Sequence, residues 1–254
     1  MRILVTNDDG IHAPGIVVAE AIARRFSEDV WVVAPSEEQS GAGHSLTLTR
    51  PLRLHRHGDR RFSVSGTPTD AVMMALLEVM DGPPDMILSG VNRGANLGED
   101  VTYSGTVAAA MEGALAGIRS IAMSQVYTRD GEGVGDGVSF AVAESWGERV
   151  IRPLLDAEFA AGMLVNINFP PCAPDAVRGV RVVSQGIRDY GRTTMVRNTD
   201  PRGFPYYWLK LGPALSTPAH ATDLEAVADG YVAVTPLHLD LTHSAALATL
   251  AARY

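Results

Sequence analysis

The stretch Ile3-Leu4-Val5-Thr6-Asn7-Asp8-Asp9-Gly10-Ile11 decides how this chain is read. A short β-branched apolar run bounded by polar residues reads as a strand buried on both faces, the state of a central strand in a parallel sheet. Asp-Gly is turn chemistry, with glycine giving the backbone freedom to leave the sheet. A helical pattern follows from Pro14, with Ile16, Val17, Ala19, Ala21, Ile22, Ala23 and Phe26 as its apolar positions. In open α/β sheets ligands bind beyond the carboxyl ends of the strands, where Asp8 and Asp9 would stand. Two adjacent carboxylates repel unless a proton or a cation shares their site. A hard divalent cation with oxygen ligands is the natural occupant. Taken alone, Asn-Asp-Asp-Gly is more often only a turn and a cap, so the rest of the chain has to supply the site.

The composition sets bounds. The chain has 254 residues, 46% hydrophobic and 20% charged, as expected for one large globular domain or a domain with an appendage. A net charge of −8 and a pI of about 5.3 argue against a broad surface for duplex nucleic acid. A bound metal would still let an anionic small substrate approach. The single cysteine, Cys172, excludes an internal disulfide, and the seven histidines contain no H-x-x-x-H pair that would suggest zinc. The first residues do not have the pattern of a signal peptide, and no run approaches the ~18 apolar residues of a membrane helix. The expected location is therefore cytoplasmic, without a membrane partner. Lys210 is the only lysine and no G-K-[ST] occurs, which removes a Walker-type NTPase.

Outward from the opening run, strands and helices alternate. Val30 to Pro35 reads as a second strand, leading into the glycine- and serine-rich loop "SEEQSGAGHS". "LTLTRPLRLH" and "RFSVSG" read as extended, and "TPTDAVMMALLEVM" as a helix with Thr67 as N-cap and Pro68 as its first residue. "DMILSG" is a buried strand, "YSGTVAAAMEGALAG" a helix, "RSIAMS" a strand, "GVSFAVAESWGERVIRPLLD" a long helix and "MLVNINFP" a strand. This rhythm predicts a Rossmann-like, mostly parallel sheet flanked by helices. Residues 1–170 are expected to form the catalytic core. Residues 171–254 would supply projecting antiparallel strands, a helix and a tail that serve oligomerisation and partly complete the core. The projecting part is expected from Val180 to Leu211, whose "YYW" at Tyr206 to Trp208 needs a surface to cover. Thr128 to Gly137 reads as a flexible loop or lid.

Four polar clusters fall at expected carboxyl ends of strands. They are Asn7 to Gly10, the Ser40 to Ser45 loop, Asn92 with Asn96, and Tyr103-Ser104-Gly105-Thr106. Each alone is weak, since such residues commonly make only turns and caps; their shared edge raises the functional reading. Asp8 and Asp9 offer carboxylate oxygens, Ser40 a hydroxyl and Asn92 an amide oxygen, all suited to Mg²⁺, Mn²⁺ or Ca²⁺. Ser-Gly-Thr at a helix start aims unpaired N–H groups outward and makes an anion site, beside a metal a phosphate site. His12 and His44 lie near and are assigned peripheral roles. Ser65-Gly66-Thr67 is read as an ordinary cap, and Asp70 as a residue orienting the site.

"ILVTNDDGIHAPGI", "VAPSEEQSGAGHSLTL", "SGTPTDAV", "PDMILSGVNRGANLGEDVTYSGTVAAAMEG" and "TDLEAVADGYVAVTPL" together resemble the SurE family, over essentially the whole chain. These are stationary-phase survival proteins with metal-dependent nucleoside-monophosphate phosphatase activity. The resemblance implies Asp8, Asp9, Ser40 and Asn92 as metal ligands, and Asn96, Ser104, Gly105 and Thr106 as phosphate-binding residues. It also implies 5′/3′-nucleotidase activity and a divalent metal, Mg²⁺, Mn²⁺ or Co²⁺, one ion per subunit. Homodimers or homotetramers built partly from exchanged C-terminal elements are implied as well. Arg93-Gly94-Ala95 stands where many relatives carry a different Gly/Pro run. The expected reaction is attack of a water on phosphorus, with Asp8 or Asp9 taking its proton. A phosphoacceptor signalling domain is the first alternative, but it needs an acceptor Asp at the end of a later strand and a lysine, and Asp85 begins its strand while Lys210 is misplaced. A non-enzymatic metal- or nucleotide-binding module is the second, and no G-x-G-x-x-G follows the first strand.

Overall fold

The computed structural model describes residues 1–127, 139–187, 194–210 and 221–254; the loop expected at Thr128 to Gly137 lies outside them. The opening run forms β1 (Arg2–Thr6), buried from Ile3 onward. It lies in a nine-stranded sheet between β2 (Asp29–Pro35) and β5 (Met86–Arg93), parallel to both. β4 (Arg61–Val64) continues the sheet in parallel beyond β2. On the other side β6 (Arg119–Gln125) and β7 (Met163–Phe169) continue it beyond β5. Three strands run the other way: β3 (Leu54–Gly58) on β4, β11 (Val232–His238) on β7, and the short strand beyond β11 that lies parallel to it.

Alternation along β1 explains the layers. Ile3 and Val5 pack with α1 (Pro14–Arg24) and α4 (Ala141–Leu155) on one face. Leu4 packs on the other with α2 (Pro68–Met74) and α3 (Gly105–Leu115). Each such side chain, fully buried, stabilises the sheet by about 1.5–3 kcal/mol. The chain passes from β1 to β2 on one side and returns to β5 on the other. The strand order thus reverses between β1 and β5, and their carboxyl ends open the crevice where α/β sheets bind ligands.

The caps follow the sequence. Thr67 caps α2 in a reciprocal box with Asp70, with Pro68 at the first position, and the helix runs on as one π turn at Ala75–Val79. Thr222 and Glu225 form a second box at α5 (Asp223–Ala228). Two expectations need correction. Val180 to Leu211 is not one projecting unit: β8 (Val180–Val182) joins the main sheet, parallel to β11. The open edge of β11 takes its backbone groups, and Arg181 stacks on Tyr231 and pairs with Asp229. Only β9 (Thr194–Thr199) and β10 (Pro205–Lys210) form a separate antiparallel ribbon. β5 also continues past Gly90 to Arg93 through a register shift, so Asn92 belongs to a strand rather than to the loop after it. The last helix, α6 (Ser244–Ala251), buries no residue. Among the described residues no helix is long and apolar enough to cross a membrane.

Candidate active site

The four polar clusters meet at the β1/β5 crevice. Asn7 donates from Nδ2 to the carbonyl of Gly10 at 2.9 Å, and Gly10 takes φ +98° with its backbone against Glu37, closing the acidic turn. This turn is tied to each of the other clusters. The carbonyl of Asp8 accepts the N–H of Gln39 at 2.8 Å, which holds the start of the Ser40 loop. Asp9 Oδ2 accepts the N–H of Arg93 at 3.0 Å, which holds the end of β5. Asp8 Oδ1 accepts the hydroxyl of Thr106 in the first turn of α3. The N–H of Gly43 reaches the carbonyl of Tyr103 at 3.2 Å, joining the second cluster to the fourth.

Gly105 is where α3 comes closest. A Cβ there would lie 2.7 Å from Asp8 Cβ, 3.0 Å from Asp8 Oδ2 and 3.0 Å from Pro68 Cγ. Only glycine lets the helix start stand against the acidic turn. Ser104 caps the helix by accepting the N–H of Val107 at 3.1 Å. The N–H groups of Gly105 and Thr106 lie in the first turn, where a helix offers no internal acceptor. Positive helix potential and the Asp8 carboxylate thus face each other.

The carboxylates carry the electrostatic tension. Asp8 is 4% exposed, and burial pushes its carboxyl up to about 6, with Asp9 adding to the rise against the opposing Thr106 hydrogen bond. Burial also raises Asp9, with Glu38 adding and Arg93 opposing. Neither makes an ion pair among the described residues. Two partly desolvated acids without a cation are what a divalent ion would relieve. The remaining donors are oxygen-rich: Ser40 Oγ is exposed beside Glu38 at 2.8 Å, and Asn92 spends Nδ2 on the Gly94 carbonyl at 3.0 Å, which leaves Oδ1 as its ligating atom. Among the described residues no group of three or more His, Cys, Asp and Glu is placed to hold a metal ion.

Two residues assigned to phosphate are engaged with protein groups. Thr106 is fully buried with its hydroxyl on Asp8, and Asn96 is buried with Nδ2 on Ser124 Oγ at 2.8 Å. Asp70 accepts the N–H of Thr47 at 3.1 Å and of Thr67 at 2.8 Å, so it fixes the chain leaving the Ser40–Ser45 loop. His44 pairs with Glu112, and His12 stacks edge-on against His57, with ring centres 5.4 Å apart. Beneath the site lies a layer the motif reading missed: Ser124, Asn166, Asn168 and Asp223, all fully buried. Its signal was the polar alternation Asn166-Ile167-Asn168 inside an otherwise apolar strand.

The family model described as "Survival protein SurE" matches residues 3–192. The "5'-nucleotidase SurE" of Rhizorhabdus wittichii is 67% identical over the full length of both chains. That of Erythrobacter litoralis, with the same name, is 59% identical over the full length of both. Among solved structures, the SurE protein of Aquifex aeolicus is 35% identical with a TM-score of 0.84, covering 100% of this chain and 99% of that one. The acidic turn, the serine loop, the end of β5 and the start of α3 therefore converge within a shared fold, and this chain belongs to the SurE family.

Proposed function

We propose that this chain is a metal-dependent phosphomonoesterase that hydrolyses nucleoside monophosphates to nucleoside and phosphate. One observation carries the reading: two adjacent carboxylates, Asp8 buried and Asp9 half-buried, make no ion pair among the described residues, and Asp8 stands against the N-terminus of α3 at Gly105. That juxtaposition suits a cation and a phosphate side by side, and the 5'-nucleotidase name of the relatives agrees with it. Asp8, Asp9, Ser40 and Asn92 would hold one divalent ion per subunit, Mg²⁺, Mn²⁺ or Co²⁺. When bound, such an ion supplies Lewis acidity to the phosphoryl oxygen and acidity to a water.

The chain's own groups do the rest. The N–H groups of Gly105 and Thr106, with Ser104 and Asn96, stabilise charge on the equatorial oxygens of the phosphoryl group in an in-line displacement. Thr106 fixes the rotamer of Asp8 by donating to Oδ1. The N–H of Arg93 does the same for Asp9 at Oδ2. One of these two carboxylates takes the proton of the attacking water. A cytoplasmic location belongs to the same reading.

Assembly into a homodimer or homotetramer is supported by apolar surface in the C-terminal third. Phe204, Tyr207, Trp208 and Leu209 on and beside the ribbon are exposed, as are Leu247 and Leu250 on α6. A groove of about 560 Å³ is lined by Val101, Met111, Val182, Leu237 and Leu241 among others. Phosphate release from 5′- and 3′-nucleoside monophosphates and from p-nitrophenyl phosphate, with and without chelator, tests the activity. Chelator-sensitive release is expected, and none from any ester with added Mg²⁺, Mn²⁺ or Co²⁺ refutes the reading. Light scattering tests the assembly, which a monomer at micromolar concentration would refute.

A further inference from the structure

The loop from Arg93 to Gly98, which carries Asn96, is held from below by side chains of other strands. Asn168 Oδ1 accepts the N–H of Asn96 at 2.9 Å, and Asn168 Nδ2 donates to the carbonyl of the same residue at 3.0 Å. Asn166 Nδ2 donates to that carbonyl at 2.8 Å. Ser124 Oγ receives the side chain of Asn96 at 2.8 Å. One residue later but one, Asp223 Oδ2 accepts the N–H of Gly98 at 2.8 Å, and Gln185 donates to the Gly98 carbonyl at 2.8 Å. Side-chain amides thus take the place of a strand partner for Asn96. They are fully buried, so their bonds meet no competition from water.

This has a cost that packing alone does not explain. A buried amide gains little net stability from its bonds and costs stability for each group left unpaired. Among the described residues Asn166 Oδ1 is itself left without a partner, as is the hydroxyl of Thr235 in the paired position of β11. An apolar pair at 166 and 168 would avoid the cost but leave the backbone of Asn96 unheld. We infer that Asn168, assisted by Asn166, is a positioning residue that fixes the Asn96 loop for phosphate, acting through the backbone of Asn96 and not by touching substrate. The inference rests on the phosphomonoesterase reading.

The test compares Asn168→Ala, Asn166→Ala and the remote core variant Val150→Ala in α4, which controls for simple destabilisation. Misplacement by ~1 Å costs on the order of 10²-fold in rate, so Asn168→Ala is expected to raise the inhibition constant for inorganic phosphate by about tenfold or more and to lower kcat. Asn166→Ala, which leaves both Asn168 bonds, should have a smaller effect of the same kind. Val150→Ala should stay within about twofold of wild type when compared at equal folded fraction. Hydrogen exchange at the Asn96 amide, read without substrate, should be fast in Asn168→Ala and unchanged in Val150→Ala. An unchanged phosphate constant, or an Asn96 amide still protected in Asn168→Ala, overturns the inference. If Asn168→Ala does not fold, Asn168→Leu, which keeps the volume and removes both bonds to Asn96, decides by the same two measurements, and wild-type behaviour in both refutes it. Wild-type protein without phosphatase activity would refute the reading of function, whereas the exchange result would still decide whether Asn168 holds the loop.

Discussion

Gly105→Ala isolates the closest contact of the site. The added Cβ would stand 2.7 Å from Asp8 Cβ, with Pro68 Cγ at 3.0 Å, so the helix start is wedged between two neighbours. Carbon atoms rest about 3.5–4.0 Å apart, so relief demands a shift of roughly 1 Å. Overpacking of this kind costs about 1–3 kcal/mol, against a gain of up to about 1 kcal/mol from replacing a helical glycine. The expected net loss of about 1–2 kcal/mol lowers Tm by several degrees for a chain of this size. Activity should fall much further. A shift of ~1 Å between Asp8 and the N–H groups of α3 is expected to reduce kcat/KM by about 10². The control is Gly147→Ala in α4, whose new Cβ would meet Ile22 Cδ1 at 2.5 Å on the far face of the sheet. Thermal melts and initial rates of phosphate release, compared at equal folded fraction, separate the two effects. If Gly105→Ala keeps wild-type kcat/KM while losing stability like Gly147→Ala, the close approach of α3 to Asp8 plays no part in catalysis.

Three more substitutions probe the charges around that contact. Asp8→Asn should abolish most turnover yet stabilise the chelated protein at neutral pH. Its carboxyl titrates near 6 in the fold against 3.8 unfolded, so the fold binds the extra proton; stability is full below 3.8 and falls as pH rises through 6, by about 3 kcal/mol. Tm against pH in chelator should fall less across that window in Asp8→Asn than in wild type, and equal slopes would refute the assignment. Thr106→Val removes the hydroxyl from Asp8 but keeps the backbone donors of α3, so its loss of kcat/KM should be about 10–10² and smaller than that of Asp9→Asn; a loss as large as that of Asp9→Asn would give the hydroxyl a more central role. Burial raises Asp70, but the hydrogen bonds from Thr47 and Thr67 outweigh it and leave its carboxyl below the usual value. Its stabilisation is therefore present above 3.8 and lost as pH falls through the folded value. Asp70→Asn should cost about 1–2 kcal/mol at neutral pH and speed proteolysis within the Ser40–Thr47 stretch, and an unchanged melt at pH 7 would refute the role.

The sequence by itself determined the sheet and the edge where the candidate site lies. Ile3 to Val5 had to be an interior strand because its apolar run is unbroken, and Thr67-Pro68 and Ser104 mark helix starts through local caps. These signals act over a few residues, so they are legible without a fold. The family motifs named the polar residues of the site, but not what each side chain touches. Only the tertiary structure decided that Thr106 spends its hydroxyl on Asp8, 98 positions away, and that Asn96 is held by Asn168 across 72. It also decided that Val180–Val182 would complete the main sheet, because the open edge of β11 could not be seen from composition. Hydrogen bonds between distant segments leave no periodic trace in a chain. Asn166 and Asn168 in β7 were visible as an anomaly, but their purpose appears only where the loop of Asn96 crosses above them.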